Sequence, residues 1–245
     1  MTLHHQLDGD GERVVVLSGS LGSTLEMWEP QLAALTPRFR VLRYDHPGHG
    51  RSPLLETRSV DALTREVIAM LDELGLTRVS FCGLSLGGAV AMRLALDAPD
   101  RVEQLVLCST SARFGTHEFW QERADTVRSR GVEAVAGVVL ERWFTPEFRH
   151  VRRYRKMLLS IPAEGYARCC EAVRDWDARG TLGAVRARTL AIAGRDDPST
   201  PPIELESIVA EIPDAKLLVL DRARHLVNVE RAPSFNEAVL EHLDA

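Results

Sequence analysis

Short apolar runs recur along the chain at 14–17, 41–44, 79–82, 105–108, 190–193 and 217–220. Runs of this length, apolar without alternation, read as strands buried on both faces. Most are separated by stretches whose apolar residues fall three and four apart, the period of a helix with one buried face. The clearest carries Val60, Leu63, Val67, Met70, Leu71 and Leu74, then stops at Gly75, a residue that closes a helix without steric cost. Strands alternating with helices predict an α/β class fold: a mostly parallel sheet flanked by helices. The residues before Val14 leave room for an antiparallel first strand.

One interval breaks the alternation. About eighty residues separate Cys108 from Leu190, whereas a parallel crossover needs only a dozen or more. The interval holds helical patterns and bulky aromatics, among them Phe119, Trp120, Trp143, Tyr154 and Tyr166. Residues 113–180 therefore read as a helical cap inserted into a core made of 1–112 and 181–245. Inserted after a strand, the cap would roof the carboxyl edge of the sheet, where open α/β folds bind ligands. A plain helical extension over one sheet face is the alternative.

Composition narrows the class only a little. The chain has 245 residues, 45% hydrophobic and 27% charged, enough for one large domain or a domain with an insertion. A net charge of -5 excludes a nucleic-acid footprint and a polybasic membrane patch. Met1-Thr2-Leu3-His4-His5-Gln6 has no apolar segment of a secretory leader, and no run approaches the ~18 apolar residues that span a bilayer. Cys82, Cys108, Cys169 and Cys170 lack metal-ligand spacing, and the first two read as small core residues. The expectation is a cytoplasmic protein with no metal and no organic cofactor.

Candidate chemistry centres on Gly83-Leu84-Ser85-Leu86-Gly87, between the strand at 79–82 and the small-residue helical run at 88–96. At a strand–turn–helix corner a serine exposes its Oγ, and glycines flank it where a Cβ would clash. A hydroxyl attacks a carbonyl usefully only if a base takes its proton and donors hold the oxyanion. With this type of corner, the acid and then the histidine follow on loops after late strands. The loop after 190–193 carries Asp196 and Asp197, and the loop after 217–220 carries His225. His46 and His49 lie in the Gly- and Pro-punctuated loop Asp45-His46-Pro47-Gly48-His49-Gly50, so His49 reads as a structural hydrogen-bonder. Neighbouring acids point in different directions, so only one can orient the imidazole. Asp197 precedes Pro198, which holds it extended, and is favoured, with Asp196 as a cap or solvated. The oxyanion donors are expected to be the amides of Leu86 and of Ser20, in the loop Ser18-Gly19-Ser20-Leu21-Gly22-Ser23. That loop lacks the Gly-Lys-Ser/Thr ending of a phosphate cradle.

Taken together these residues resemble the α/β-hydrolase superfamily over nearly the whole chain. A more specific resemblance is to the 3-oxoadipate enol-lactonases of the β-ketoadipate pathway of aromatic catabolism. It rests on Ser20-Leu21-Gly22 with Met27-Trp28, on Phe81-Cys82-Gly83-Leu84-Ser85-Leu86-Gly87-Gly88, and on Ser109-Thr110-Ser111-Ala112-Arg113-Phe114-Gly115. Inside the long interval it continues through Glu141-Arg142-Trp143-Phe144-Thr145-Pro146 and Gly165-Tyr166-Ala167-Arg168-Cys169-Cys170. Two positions depart from that family: Gly19, where those lactonases often have Asn, and Pro47, where they commonly have Arg.

The resemblance implies a serine hydrolase that opens a carboxylate-bearing enol-lactone through an acyl-enzyme, with a small molecule as its partner. Positive charge is then expected near the pocket, with Arg113 and Arg142 as candidates. The run Arg149, Arg152, Arg153, Arg155 and Lys156 reads instead as a solvated helix face. Trp143 reads equally as pocket wall or as cap core. Three other readings use the same residues: a broad carboxylesterase or other lactonase, a cofactor-free perhydrolase, and a capped binding module without turnover.

Overall fold

Each of the six apolar runs is a strand in the computed structural model, which describes residues 2–244. Positions 1 and 245, the outer ends of the two predicted core segments, lie outside the described residues. The chain runs β1 (His5–Asp8), β2 (Arg13–Ser18), α1 (Glu29–Leu35), β3 (Phe39–Tyr44), α2 (Val60–Glu73), β4 (Val79–Leu84), α3 (Leu86–Asp97) and β5 (Val102–Cys108). Four helices follow: α4 (His117–Arg130), α5 (Glu133–Trp143), α6 (Val151–Leu159) and α7 (Ala163–Arg174). The chain then returns through β6 (Arg188–Gly194), α8 (Pro202–Glu211), β7 (Ala215–Leu220), α9 (Val227–Glu230) and α10 (Ala232–Asp244).

The strands form one sheet in the order β1-β3-β2-β4-β5-β6-β7. Only β1 is antiparallel, paired to β3; the other pairings are parallel. Burial follows position. Nearly every residue of β2 through β6 is buried, because helices cover both faces, while the edge strands β1 and β7 stay half exposed. The α2 face read from the sequence is buried and packs beside α3, its first turn capped by the Ser59 hydroxyl accepting from the Ala62 amide.

Register sets where function can sit. Ser18 pairs with Gly83, Leu84 with Cys108, Cys108 with Ile192, and Gly194 with Leu220. The carboxyl ends of β2, β4, β5, β6 and β7 therefore finish in line, and the loops leaving them share one edge of the sheet. Helices α4 and α7 pack on each other and are tied by charge. Arg128 donates to Glu164 at 2.8 Å and to Glu171 at 2.6 Å, and Arg58 from the α2 side reaches Glu171 at 2.6 Å. The hydrogen bond from Arg128, and next that from Arg168, pulls the Glu164 carboxyl down to about 2.

Candidate active site

Ser85 stands at the corner between β4 and α3 with φ of 58°, a conformation most side chains avoid. The turn closes because two neighbours lack a Cβ: one on Gly83 would run into the Gly87 backbone, and one on Gly87 into the Ser18 backbone. The Cys108 carbonyl accepts from the Ser85 amide at 2.9 Å, and the Thr110 hydroxyl donates to the Ser85 carbonyl at 2.8 Å. The strained corner is thus fixed from both sides, while among the described residues the Ser85 hydroxyl itself makes no hydrogen bond.

The two late loops meet beside it. His225 Nδ1 lies 2.8 Å from Asp197 Oδ2, and both side chains are buried. An ionised carboxylate can only accept, so Nδ1 carries the proton and Nε2 keeps a lone pair. Asp197 Oδ1 accepts from the Ser199 amide at 2.8 Å, and Oδ2 also accepts from the Thr200 hydroxyl at 2.7 Å. Asp196 is exposed, its amide spent on the Ala223 carbonyl at 3.0 Å. Ser85 and His225 line one cavity of about 350 Å³. No hydrogen bond joins the Ser85 hydroxyl to His225 among the described residues, and catalytic hydrogen bonds of this sort commonly tighten only once substrate binds.

One expected oxyanion donor is turned away. The Gly19 carbonyl accepts from the Gly87 amide at 3.0 Å and from His46 Nε2 at 2.9 Å. In a trans peptide the C=O and the following N–H point in opposite directions, so the Ser20 amide faces away from α3. It lies 3.4 Å from the Met27 sulfur, which is fully buried and outside the cavity. Ser20 nevertheless lines the cavity with Ser85 and His225, while its amide is turned to Met27. Leu21 lines the cavity, and among the described residues its amide has no hydrogen-bond partner. The Leu86 amide sits in the first turn of α3, where no intrahelical acceptor exists.

Two buried histidines hold that loop. His46 grips the Gly19 carbonyl, and His49 Nε2 accepts from the Gly22 amide at 3.1 Å while its Nδ1–H faces the Pro47 carbonyl at 3.2 Å. Burial, and next the adjacent His46, push the His49 ring from an ordinary 6.5 down to about 3; burial lowers His46 as well. Both rings are neutral when folded, whereas the unfolded chain takes up protons below about 6.5. The share that His49 contributes is thus complete above pH 6.5 and lost as pH falls towards 3, at about 1.4 kcal/mol per pH unit, and His46 acts in the same direction. Urea unfolding at successive pH values checks this. His49→Gln, which keeps an acceptor for Gly22, should remove one histidine's share of the slope.

Helix α5 is stitched to the histidine loop. The Arg142 and Trp143 carbonyls accept from the amides of His225 at 3.3 Å and Leu226 at 3.1 Å. Glu230 bridges the same elements: Oε1 accepts from the Thr145 amide at 2.8 Å and hydroxyl at 2.7 Å, and Oε2 from the Arg224 amide at 2.6 Å. The end of α5 thereby fixes where the imidazole stands.

The remaining expected residues divide. Trp143 is buried and also lines the cavity, so it is wall and core at once. Arg142 lines the cavity, its guanidinium 5.4 Å from the Phe119 ring centre. Arg113 is exposed and does not line it, which corrects its candidacy. Arg123, which no motif pointed to, does line it; its guanidinium lies over Trp120 at 5.2 Å and Tyr166 at 5.5 Å and donates to the Tyr166 hydroxyl. The available signal was helical spacing: Phe119, Trp120 and Arg123 share a face of α4.

Residues 12–232 match the family described as alpha/beta hydrolase fold. The chain belongs to the α/β-hydrolases. This α/β-hydrolase is 37% identical to 3-oxoadipate enol-lactonase 2 of Acinetobacter baylyi, over 98% of its own length and 92% of that protein. It superposes on the crystal structure of the enol-lactonase from Burkholderia xenovorans LB400 with a TM-score of 0.96 and 37% identity, covering 99% of this chain and 96% of that one. A thermophilic esterase from Thermogutta terrifontis, solved with malate bound, superposes with a TM-score of 0.94 at 28% identity, covering 99% and 93%. With such relatives the α/β-hydrolase is a hydrolytic enzyme for lactone or ester bonds. Among its described residues no helix is long and apolar enough to cross a membrane, and no cluster of His, Cys, Asp and Glu is arranged to hold a metal.

Proposed function

We propose that this enzyme opens a carboxylate-bearing enol-lactone, 3-oxoadipate enol-lactone, to 3-oxoadipate through an acyl-enzyme on Ser85. The observation that carries this reading is the cavity itself: two arginines, Arg123 and Arg142, line the space that Ser85 and His225 also face. A carboxylate held by either guanidinium leaves the lactone carbonyl for the serine end. Phe114, Phe119, Trp120 and Trp143 supply the apolar walls. Most of these residues come from 113–180, so the inserted helices act as a cap over a core of 1–112 and 181–245.

In the first step Ser85 Oγ attacks the ring carbonyl while His225 Nε2 takes its proton, and Asp197 steadies the imidazolium. The amides of Leu86 and Leu21 receive the oxyanion. Collapse of the tetrahedral adduct breaks the ring C–O bond and expels an enolate, which His225 protonates. A water activated by His225 then attacks the acyl carbonyl, and its proton passes through the imidazole to Ser85 as the acid is released. The test is kcat/KM for the enol-lactone beside aryl esters and plain lactones, with Ser85→Ala as control. Preference for the enol-lactone by about 10²-fold or more is expected; equal turnover of simple aryl esters would replace this reading. That second reading, a broader carboxylesterase, draws on the likeness to the Thermogutta esterase.

The arginines give a sharper expectation. A charge-assisted hydrogen bond contributes about 1.5–3 kcal/mol. Arg123→Ala should therefore raise KM for the free acid by roughly 10–100-fold and for its methyl ester only slightly, and Arg142→Ala should act in the same direction. Arg113→Ala should leave both nearly unchanged. Steady-state kinetics on the acid–ester pair decide it.

A further inference from the structure

Thr200 takes no part in the reaction as described, yet its buried hydroxyl touches both members of the acid–base pair. Its Oγ1 lies 2.7 Å from Asp197 Oδ2 and 3.3 Å from His225 Nδ1, and the residue is 1% exposed while lining the cavity. The orientation of the hydroxyl is determined. Nδ1 must present its proton to the carboxylate, so the Thr200 proton goes to Oδ2 and an oxygen lone pair faces Nδ1–H. One carboxylate oxygen therefore serves two donors, and the other is occupied by the Ser199 amide.

We propose that Thr200 is a positioning residue that holds the Asp197 carboxylate in its partnership with His225, and this rests on the reading of His225 as the base. Its donated hydrogen bond does two things. With the Ser199 bond, it stops the carboxylate from rotating about its last torsion. It also shares the charge of the oxygen that faces Nδ1–H, so its loss would turn more of that charge on the ring, whose other charged neighbours in the cavity are Arg123 and Arg142. The geometry needs a hydroxyl here; a methyl of the same size leaves the carboxylate fully charged towards the ring.

The experiment is the pH profile of kcat/KM for Thr200→Val and Thr200→Ser, with 4-nitrophenyl acetate as the probe and a pH-stat readout. An ester probe keeps the result independent of the lactone assignment. Thr200→Val should move the acid limb to higher pH by roughly half a unit or more, the direction expected when a carboxylate loses a hydrogen-bond donor. Its plateau should fall less than about tenfold, and Thr200→Ser should return the limb to its original place. Should the valine variant fail to fold, Thr200→Ala supplies the same readout. A limb that stays put, or moves to lower pH, overturns the proposal even if thermal stability drops, since a merely structural hydroxyl would change Tm alone. If His225→Ala retains the wild-type rate and limb, the reading of His225 as base fails instead.

Discussion

Ser85→Ala should lower kcat by a factor on the order of 10⁶, the loss seen when a nucleophilic serine is removed from an otherwise intact site. Stability should barely change. The hydroxyl makes no hydrogen bond among the described residues, and the corner is held by the backbone bonds to Cys108 and from Thr110. Alanine also occupies φ of 58° at much the same cost as serine. Ser85→Gly should relieve that strain and raise Tm while remaining just as inactive, because glycine adopts positive φ freely. Single-turnover kinetics and a thermal melt on both variants check the pair. An alanine variant within tenfold of wild type would remove Ser85 from the chemistry and with it the acyl-enzyme.

How much of this could be read from the chain divides along a physical line. The strands are plain in the sequence because helices on both faces make the middle of each strand from β2 to β6 mostly apolar, leaving runs rather than alternation. The Ser85 corner is equally plain, since only glycines allow Gly83 and Gly87 to approach other backbone so closely. The side-by-side placing of Asp197 and His225 follows from parallel strands that end in register at one edge. What stayed hidden depends on partners distant in sequence. The direction of the Ser20 amide is decided by what grips the other side of its peptide, Gly87 and His46, and a loop sequence cannot report that. Arg113 lies within a family-like segment yet turns to solvent, whereas Arg123 is steered into the cavity by Trp120 and Tyr166. Glu230 looks like an ordinary helix residue until the fold brings Thr145 and Arg224 to its two oxygens.

Asp197→Asn should cost about 10⁴ in kcat, by analogy with other triads deprived of the charged acid, and the donor count around the side chain explains why. Three donors converge on the carboxylate: the Ser199 amide on Oδ1, and the Thr200 hydroxyl and His225 Nδ1–H together on Oδ2. An asparagine has one acceptor oxygen and one NH₂. If its oxygen stays with Ser199, the NH₂ faces Nδ1 and forces the imidazole into the tautomer with hydrogen on Nε2, which cannot take the Ser85 proton. If the oxygen turns to His225 instead, the NH₂ meets the Ser199 N–H, two donors face to face in a buried site. The first arrangement breaks fewer hydrogen bonds and should prevail, so the variant should fold, bind substrate with a near-normal KM and turn over slowly. Raising pH should recover little of the rate, because the fault is the position of a proton rather than its affinity. Asp196→Asn is the matched control: exposed, and making no side-chain hydrogen bond among the described residues, it should keep its activity within about twofold. Comparing kcat for the two variants on one substrate decides the matter, and a slow Asp196→Asn beside an active Asp197→Asn would transfer the role of orienting acid to the neighbouring residue.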